Sequence, residues 1–258
     1  MRLFYFNIYI SVIKFLIFCL AILLSSCCDI ISLSNQNKKI IQNKKTYTFS
    51  SKSDPNIELN YLIYFPFDYK KKYVFPLVVF LHGAGERGSN LKLVEKHGIP
   101  KLINSGKKFP FITIAPQCPK SGYWSDSTYV DILIQLIEKI KMEYKVDHNR
   151  VYATGLSMGG FGTLAVAKER SDLFAAIIPI CGGLDTKNIE RLYNMPIWLF
   201  HGSDDRVIPL ERSQIIYDLL KPNNPTIKLT VYEGVGHNSW DRAYNNKHVY
   251  EWMLSFKK

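Results

Sequence analysis

The sequence predicts an α/β fold built on one mostly parallel sheet of about eight strands, with helices on both faces. Short apolar runs alternate along the chain with segments of helical periodicity. This alternation is typical of parallel strands joined by right-handed helical crossovers. Glycine-rich and polar motifs begin where predicted strands end. Because functional groups gather at the carboxyl ends of parallel strands, we expect these motifs to meet at one edge of the sheet.

The individual elements follow from periodicity. Residues 47–50 and 57–65 alternate polar and apolar side chains and are predicted to be paired edge strands. Continuously apolar runs are typical of buried strands, and the remaining strands are predicted at residues 77–81, 111–115, 150–154, 175–180, 196–200 and 226–232. Helices are predicted at residues 91–103, where Gly98 and Pro100 interrupt the pattern, and at residues 130–144, 162–170, 212–220 and 239–256.

The sharpest local signal is Gly155-Leu156-Ser157-Met158-Gly159, which lies between a predicted strand and a predicted helix. In that context G-x-S-x-G forms a nucleophile elbow, a turn so tight that its serine adopts strained dihedral angles. Glycines on either side avoid collisions between a Cβ and the neighbouring backbone. We therefore expect an exposed Ser157 hydroxyl at the start of a helix. The alternative is a glycine-rich turn that only lets the helix pack closely on the sheet.

A nucleophilic serine needs a base that takes its proton and an acid that holds the base in one tautomer. Of six histidines, only His237 and His248 follow both Ser157 and the candidate acids. His248 falls within the last predicted helix and is interpreted as a surface or packing residue, so His237 is predicted to be the base. The acid is expected just after a preceding strand, which leaves Asp204, Asp205 and Asp185 open.

Two main-chain N–H groups are expected to stabilise the oxyanion of a tetrahedral intermediate. Met158, which follows the serine, is predicted to supply one, and the loop at residues 82–85 the other. Four larger side chains are expected near the same sheet edge, where they could line the entrance or, for the tryptophans, stack on a sugar or aromatic acyl group: Glu86, Arg87, Trp124 and Trp240. For each of them, packing or a surface ion pair is the alternative.

With these motifs in place, the chain from about residue 45 resembles secreted bacterial α/β-hydrolases of the esterase/depolymerase type. This group neighbours feruloyl and acetylxylan esterases, polyhydroxybutyrate depolymerases and the prolyl oligopeptidase-like "predicted peptidases". The matching segments are residues 81–88, 115–119, 154–163, 179–183 and 198–202. Residues 201–209 are similar to the HG-x-x-D-x-x-V-P segment of such esterases, which implies that Asp205 is the triad acid. The HG-x form of the earlier loop likewise implies Ala84 as the second oxyanion donor, with Gly83 or Gly85 as alternatives.

The resemblance implies a serine-dependent carboxylic ester hydrolase acting on ester groups of extracellular polysaccharide or on small aryl and alkyl esters. A small serine peptidase with the same triad is one alternative, and a catalytically silent, glycan-binding surface lipoprotein is another. No cofactor or metal is expected, because the sequence has no zinc-type Cys/His spacing, no Walker motif and no G-x-G-x-x-G after a strand.

The amino-terminal segment predicts export. Arg2 precedes a nearly continuous apolar run over residues 3–24, which is typical of a secretory signal. The following Ser-Ser-Cys27 resembles the lipobox of bacterial lipoproteins, so we expect a signal peptide at residues 1–26, lipidation of Cys27, a flexible tether at 27–44 and a catalytic domain at 45–258. The domain would then be attached to a membrane outside the cytoplasm, or secreted; an uncleaved anchor is the alternative.

The formal net charge of +11 is interpreted as a lysine-rich solvated surface, with anionic lipid or acidic polysaccharide as alternative partners. Nucleic acid is not expected, because no basic block is interleaved with aromatic residues. Beyond the amino-terminal segment only Cys118 and Cys181 remain, and whether they form a disulfide or stay free stays open.

Overall fold

The computed structural model describes residues 42–48, 57–66, 68–69 and 74–258. The predicted signal peptide, Cys27 and most of the predicted tether lie outside the described residues. The tether was expected to end at residue 44, but strand β1 (Gln42–Thr48) already begins at Gln42. The first residues of β1 were not predicted to be a strand because they are polar. β1 is defined by main-chain pairing with its neighbour rather than by an apolar pattern. Within the described part of the chain, no helix is both long and apolar enough to cross a bilayer.

Eight strands form one sheet in the part of the chain that the structure describes, in agreement with the prediction. After β1 they are β2 (Glu58–Tyr64), β3 (Phe75–Leu81), β4 (Ile112–Pro116), β5 (Val146–Leu156), β6 (Ala176–Ile180), β7 (Trp198–Gly202) and β8 (Lys228–Tyr232). Their order across the sheet is β1-β2-β4-β3-β5-β6-β7-β8. The pairs β1–β2 and β2–β4 are antiparallel. Strands β3 to β8 run parallel to one another. The prediction of a mostly parallel sheet is confirmed.

Six α-helices accompany the sheet within the described residues: α1 (Gly98–Asn104), α2 (Ser127–Glu143), α3 (Met158–Glu169), α4 (Glu211–Leu220), α5 (Trp240–Asn245) and α6 (Lys247–Leu254). The helix predicted over residues 91–103 is instead a 3₁₀ segment, Leu91–Lys96, followed by α1, because His97 between them is extended. The long final helix is likewise split. Asn246 breaks it and caps α6, with its side chain accepting a hydrogen bond from the N–H of His248.

The helices cover both faces of the sheet. The side chains of β3 point alternately to the two faces and show what packs on each. Leu77, Val79 and Leu81 belong to one large apolar cluster with the inner faces of α2, α3 and α4. Phe80 points to the opposite face and packs against Tyr244 of α5, with ring centroids 5.9 Å apart. Because successive strand residues face opposite sides, both faces are buried. The sheet is thereby fixed, and the loops after the parallel strands all emerge at one edge.

Candidate active site

Ser157 lies at the turn between β5 and α3, and its backbone conformation is strained. Its φ and ψ angles are 53° and −119°, in the region of positive φ that side chains with a Cβ rarely occupy. The N–H of Ser157 donates to the carbonyl of Ile180 in β6 at 2.9 Å, which anchors the turn to the neighbouring strand. The geometry is that of the predicted elbow.

The flanking glycines explain why the elbow has this sequence. A Cβ on Gly155 would lie 2.3 Å from the carbonyl oxygen of Gly159, and one on Gly159 would lie 2.0 Å from the carbonyl oxygen of Leu81. Both contacts are with backbone, which cannot move aside as a flexible side chain would. The close approach of α3 to β3 and β5 therefore requires glycine at both positions.

Three of the predicted side chains meet in one hydrogen-bonded chain. Nε2 of His237 lies 2.9 Å from Oγ of Ser157, and Nδ1 of His237 lies 2.7 Å from Oδ2 of Asp205. The carboxylate of Asp205 is fully buried, whereas the imidazole of His237 is 20% exposed. An ionised carboxylate only accepts hydrogen bonds, so Nδ1 carries the proton and Nε2 is left to accept from the serine hydroxyl.

Asp205 holds its position through both of its oxygens. Oδ1 accepts from the main-chain N–H groups of Val207 and Ile208, each at 2.9 Å. Burial opposes ionisation of this carboxyl, but the hydrogen bonds from His237 and from the two N–H groups outweigh it, and the pKa of Asp205 is lowered. The other candidate acids are exposed and bonded elsewhere: Asp204 accepts from the hydroxyl of Ser203, and Asp185 from the N–H of Lys187.

A second histidine, which the sequence analysis did not single out, lies beside the same acid. Nε2 of His201 lies 3.3 Å from Oδ2 of Asp205 and 2.9 Å from the carbonyl oxygen of Ile208. Its Nδ1 lies 2.7 Å from the hydroxyl of Ser213. The available signal was the spacing itself, since His201 near the end of β7 precedes Asp205 by four residues. His248, in contrast, is exposed and pairs with Glu251 at 2.8 Å, as expected of a surface residue.

The loop after β3 lies against the elbow. A Cβ on Gly83 would come within 2.9 Å of the side chain of Leu156, the residue before Ser157. Ala84 begins a short 3₁₀ turn, Ala84–Glu86, and Met158 begins α3 directly after the serine. The first N–H groups of a helix have no partner within that helix. The two predicted oxyanion donors thus lie on main-chain segments that border Ser157.

His82 ties this loop to the loop after β4. Its Nδ1 donates to the carbonyl oxygen of Gly83 at 2.6 Å, and its Nε2 accepts from the N–H of Cys118 at 3.0 Å. Burial lowers the pKa of His82 to about 4, so the imidazole is neutral at neutral pH. The indole N–H of Trp124 donates to the carbonyl oxygen of His82 at 3.2 Å. These bonds fix the main chain at the entrance of the site.

The expectation that Trp124 stacks on substrate is wrong. Its side chain is 0% exposed and fills the space beside Gly162 of α3, where an added Cβ would lie 2.3 Å from that of Trp124. Trp240 is also buried and packs edge to face on His237, with centroids 5.2 Å apart. Glu86 is buried as well and faces His97 at 3.8 Å. Neither tryptophan offers an open ring face.

Of the four predicted entrance residues, only Arg87 is partly exposed, and it contacts an aromatic residue that the sequence had not singled out. The guanidinium carbon of Arg87 lies 4.7 Å from the ring centroid of Tyr123, which is 46% exposed. The loop after β4 therefore presents Tyr123 to solvent and turns its neighbour Trp124 inward. Sequence alone did not reveal which of the two adjacent aromatic residues faces outward.

Cys118 and Cys181 are both free and buried, which resolves the open question of a disulfide. Burial raises the pKa of each thiol to about 12, so both are protonated near neutral pH. Ligand atoms of Cys181, Asp205 and His237 lie within 4.8 Å of one another, the one such group found among the described residues. Two of its three members are already joined by the hydrogen bond of the triad, which accounts for their proximity without a metal ion.

Known proteins similar to this chain include esterases and a depolymerase. Residues 109–250 match the family model described as phospholipase/carboxylesterase. The chain is similar to poly(3-hydroxyalkanoate) depolymerase C of Paucimonas lemoignei, at 34% identity over 42% of this chain and 28% of that protein. It is 35% identical to the bifunctional acetylxylan esterase/xylanase XynS20E of Neocallimastix patriciarum over 52% of this chain and 20% of that protein. The chain thus spans less than a third of either curated relative.

Among solved structures, the chain is similar to a thermostable esterase at 34% identity and a TM-score of 0.72, covering 83% of this chain and 63% of that one. The sheet order, the elbow after β5 and this similarity identify the α/β-hydrolase fold. The family model covers more than half of the sequence, from β4 through the first half of α6. The protein belongs to the phospholipase/carboxylesterase family of hydrolases.

Proposed function

We propose that this carboxylesterase-type hydrolase cleaves carboxylic esters through a triad of Ser157, His237 and Asp205. The observation that carries the proposal is the continuous chain of hydrogen bonds, 2.9 Å from serine to histidine and 2.7 Å from histidine to aspartate. A base within hydrogen-bonding distance of the hydroxyl can take its proton as the new bond forms. The buried aspartate then stabilises the imidazolium that results.

In the first half of the proposed reaction, Oγ of Ser157 attacks the ester carbonyl while Nε2 of His237 takes the hydroxyl proton. The tetrahedral intermediate collapses, the bond to the alcohol breaks, and His237 returns the proton to the leaving alcohol. Water then attacks the acyl-enzyme, giving its proton to His237, which passes it back to Oγ as the carboxylic acid leaves. Asp205 remains ionised throughout, in keeping with its lowered pKa.

We propose the main-chain N–H groups of Met158 and Ala84 as the donors to the oxyanion. Support comes from their positions, one at the start of α3 and the other in the loop that packs on Leu156. Such donors act most strongly when they are fixed before the reaction begins. The hydrogen bonds of His82 to Gly83 and to Cys118 supply that rigidity on the side of Ala84.

For the substrate we propose ester groups on extracellular polysaccharide, with small aryl and alkyl esters also accepted. The support is the similarity to a bifunctional acetylxylan esterase/xylanase over 52% of this chain and the export signal that the sequence predicts. We further propose that Cys27 carries a lipid anchor and that residues 45–258 act as the catalytic domain outside the cytoplasm. Loss of fatty-acid labelling in Cys27→Ser, with labelling of the wild type, is the expected result for the anchor.

The experiment that tests the function compares full-length protein on p-nitrophenyl acetate, methyl ferulate and a dipeptidyl anilide. The expected kcat/KM for either ester exceeds that for the anilide by orders of magnitude, and acetate or ferulate is released from substituted xylan. A preference for the anilide would establish the peptidase alternative. Complete inactivity on all three, together with binding to glycan, would establish the silent binding protein.

A further inference from the structure

Tyr123 is an exposed aromatic residue on a loop that is otherwise rigidly held. Its side chain is 46% exposed, while the adjoining Trp124 is 0% exposed. The N–H of Tyr123 donates to Oδ2 of Asp126, and the N–H of Asp126 donates back to the carbonyl oxygen of Tyr123, both at 3.1 Å. Because both sides of the residue are fixed, a ligand that binds the ring orders little additional chain.

A cation also contacts one face of the Tyr123 ring. The guanidinium of Arg87 lies over the ring at 4.7 Å from its centroid, within the range of a cation–π contact. Arg87 is itself fixed to two main-chain carbonyls, that of Ala84 at 3.1 Å and that of Gly122 at 3.2 Å. One face of the ring is therefore covered, and the exposed part of Tyr123 is the remaining face and edge.

This arrangement lies next to the proposed reaction centre. Ala84, whose carbonyl holds Arg87, is the residue proposed to donate its N–H to the oxyanion. The N–H of Gly88 donates to the carbonyl oxygen of Cys118 at 2.9 Å, which joins the loops that carry Arg87 and Tyr123 a second time. The bonds of Arg87 to Gly122 and of Gly88 to Cys118 therefore join the loop that carries Tyr123 to the loop that borders Ser157.

We infer that Tyr123, backed by Arg87, is a stacking subsite for a pyranose ring of the sugar chain that carries the ester. A pyranose presents a face of C–H groups, which complements the negative face of an aromatic ring. Two guanidinium N–H donors of Arg87 are used in the main-chain bonds, which hold the cation against the opposite face of the ring. The inference rests on the proposed polysaccharide ester function and identifies where that substrate is recognised.

The test compares full-length Tyr123→Ala, Tyr123→Phe and wild type on acetylated xylo-oligosaccharides and on p-nitrophenyl acetate. We expect Tyr123→Ala to lower kcat/KM for the oligosaccharide about tenfold, mainly through KM, and to leave p-nitrophenyl acetate within about twofold. Tyr123→Phe keeps the ring and is expected to retain most of the activity. Met142→Ala is the matched control, since Met142 is 79% exposed near the end of α2, away from the loop.

Two kinetic outcomes would overturn the inference. Equal losses on both substrates would assign Tyr123 to holding the oxyanion loop. In a parallel assay with methyl ferulate, a loss there without one on the oligosaccharide would assign Tyr123 to the acyl group. A binding experiment tests the subsite independently of the proposed function. It measures the binding of unesterified xylo-oligosaccharide by calorimetry. Wild type that hydrolyses no ester but binds this ligand, with about tenfold weaker binding by Tyr123→Ala, would refute the function and keep the subsite. Binding that is absent or unchanged in Tyr123→Ala would refute the subsite.

Discussion

Nε2 of His201 lies 3.3 Å from Oδ2 of Asp205, the same oxygen that lies 2.7 Å from Nδ1 of His237. The surroundings of His201 determine which of its two ring nitrogens carries the hydrogen. Nε2 is 2.9 Å from the carbonyl oxygen of Ile208 and therefore carries a hydrogen, while Nδ1 faces the hydroxyl of Ser213. His201 is thereby a positioning residue, because it binds the carbonyl of Ile208, whose own N–H donates to Oδ1 of Asp205.

Replacing His201 by Phe is expected to lower kcat/KM for p-nitrophenyl acetate roughly tenfold or more, because the loop that holds the Asp205 carboxylate loses its hydrogen bond to His201. His201→Gln, which retains an N–H donor, should recover part of the rate. A role in packing alone would lower the midpoint of thermal unfolding without recovery of the rate in His201→Gln.

Asp205→Asn is expected to reduce kcat by roughly 10⁴-fold, because an amide can no longer hold His237 in the tautomer that accepts the serine proton. The amide oxygen can still accept from the N–H groups of Val207 and Ile208, so the fold should survive. Circular dichroism and steady-state kinetics on the same preparation check both points. A loss smaller than tenfold would remove Asp205 from the mechanism, and Asp204→Asn is the matched control.

The stability of the protein should fall between pH 6.5 and 4 because of His82. Its pKa is lowered from 6.5 to about 4 by burial, so in this window the unfolded chain binds a proton that the folded chain does not. The contribution is complete above pH 6.5, declines as pH falls, and is lost by about pH 4, with a total of about 3 kcal/mol.

Urea unfolding of wild type and His82→Gln at pH 7 and pH 4.5 measures this contribution. The difference in the free energy of unfolding between the two pH values should be larger in wild type than in the variant. Equal pH dependence in both proteins would show that His82 is not the group responsible.

Gly159→Ala should destabilise the protein by several kcal/mol and abolish activity, because the new Cβ would lie 2.0 Å from the carbonyl oxygen of Leu81. Gly85→Ala is the matched control, since a Cβ there meets nothing within 4 Å. Chemical denaturation of both variants gives the comparison. A variant at Gly159 as stable as the variant at Gly85 would contradict the packing of α3 against β3.

Much of the fold could be predicted because periodicity along the chain reflects burial on the two faces of a sheet. The run at residues 77–81 and the helical stripe of residues 130–144 appear in the structure as β3 and α2. Polar β1 was partly missed because its first residues carry no apolar pattern. The final helix was not predicted to break, since the break depends on the local cap by Asn246 rather than on the apolar stripe.

In the candidate site, too, some residues could be predicted from the sequence and others could not. Ser157 and His237 could be found from glycine spacing and chain order, because the elbow is a local device and the base has few alternatives. Asp205 could be separated from Asp204 only through resemblance, since adjacent residues of one loop face opposite directions in space. Tyr123 and Trp124 present the same problem, and there the outward-facing residue was missed. Local sequence does not determine which of two neighbours a loop turns inward.

The most direct test of the proposed mechanism is the mass of the intact protein after reaction with a fluorophosphonate, followed by mapping of the modified peptide. The proposal predicts one adduct on Ser157, loss of p-nitrophenyl acetate hydrolysis in step with labelling, and no adduct in Ser157→Ala. His237→Ala should react far more slowly, because the base is missing. An adduct on another residue, or full hydrolytic activity in Ser157→Ala, would contradict the assignment of Ser157 as the nucleophile.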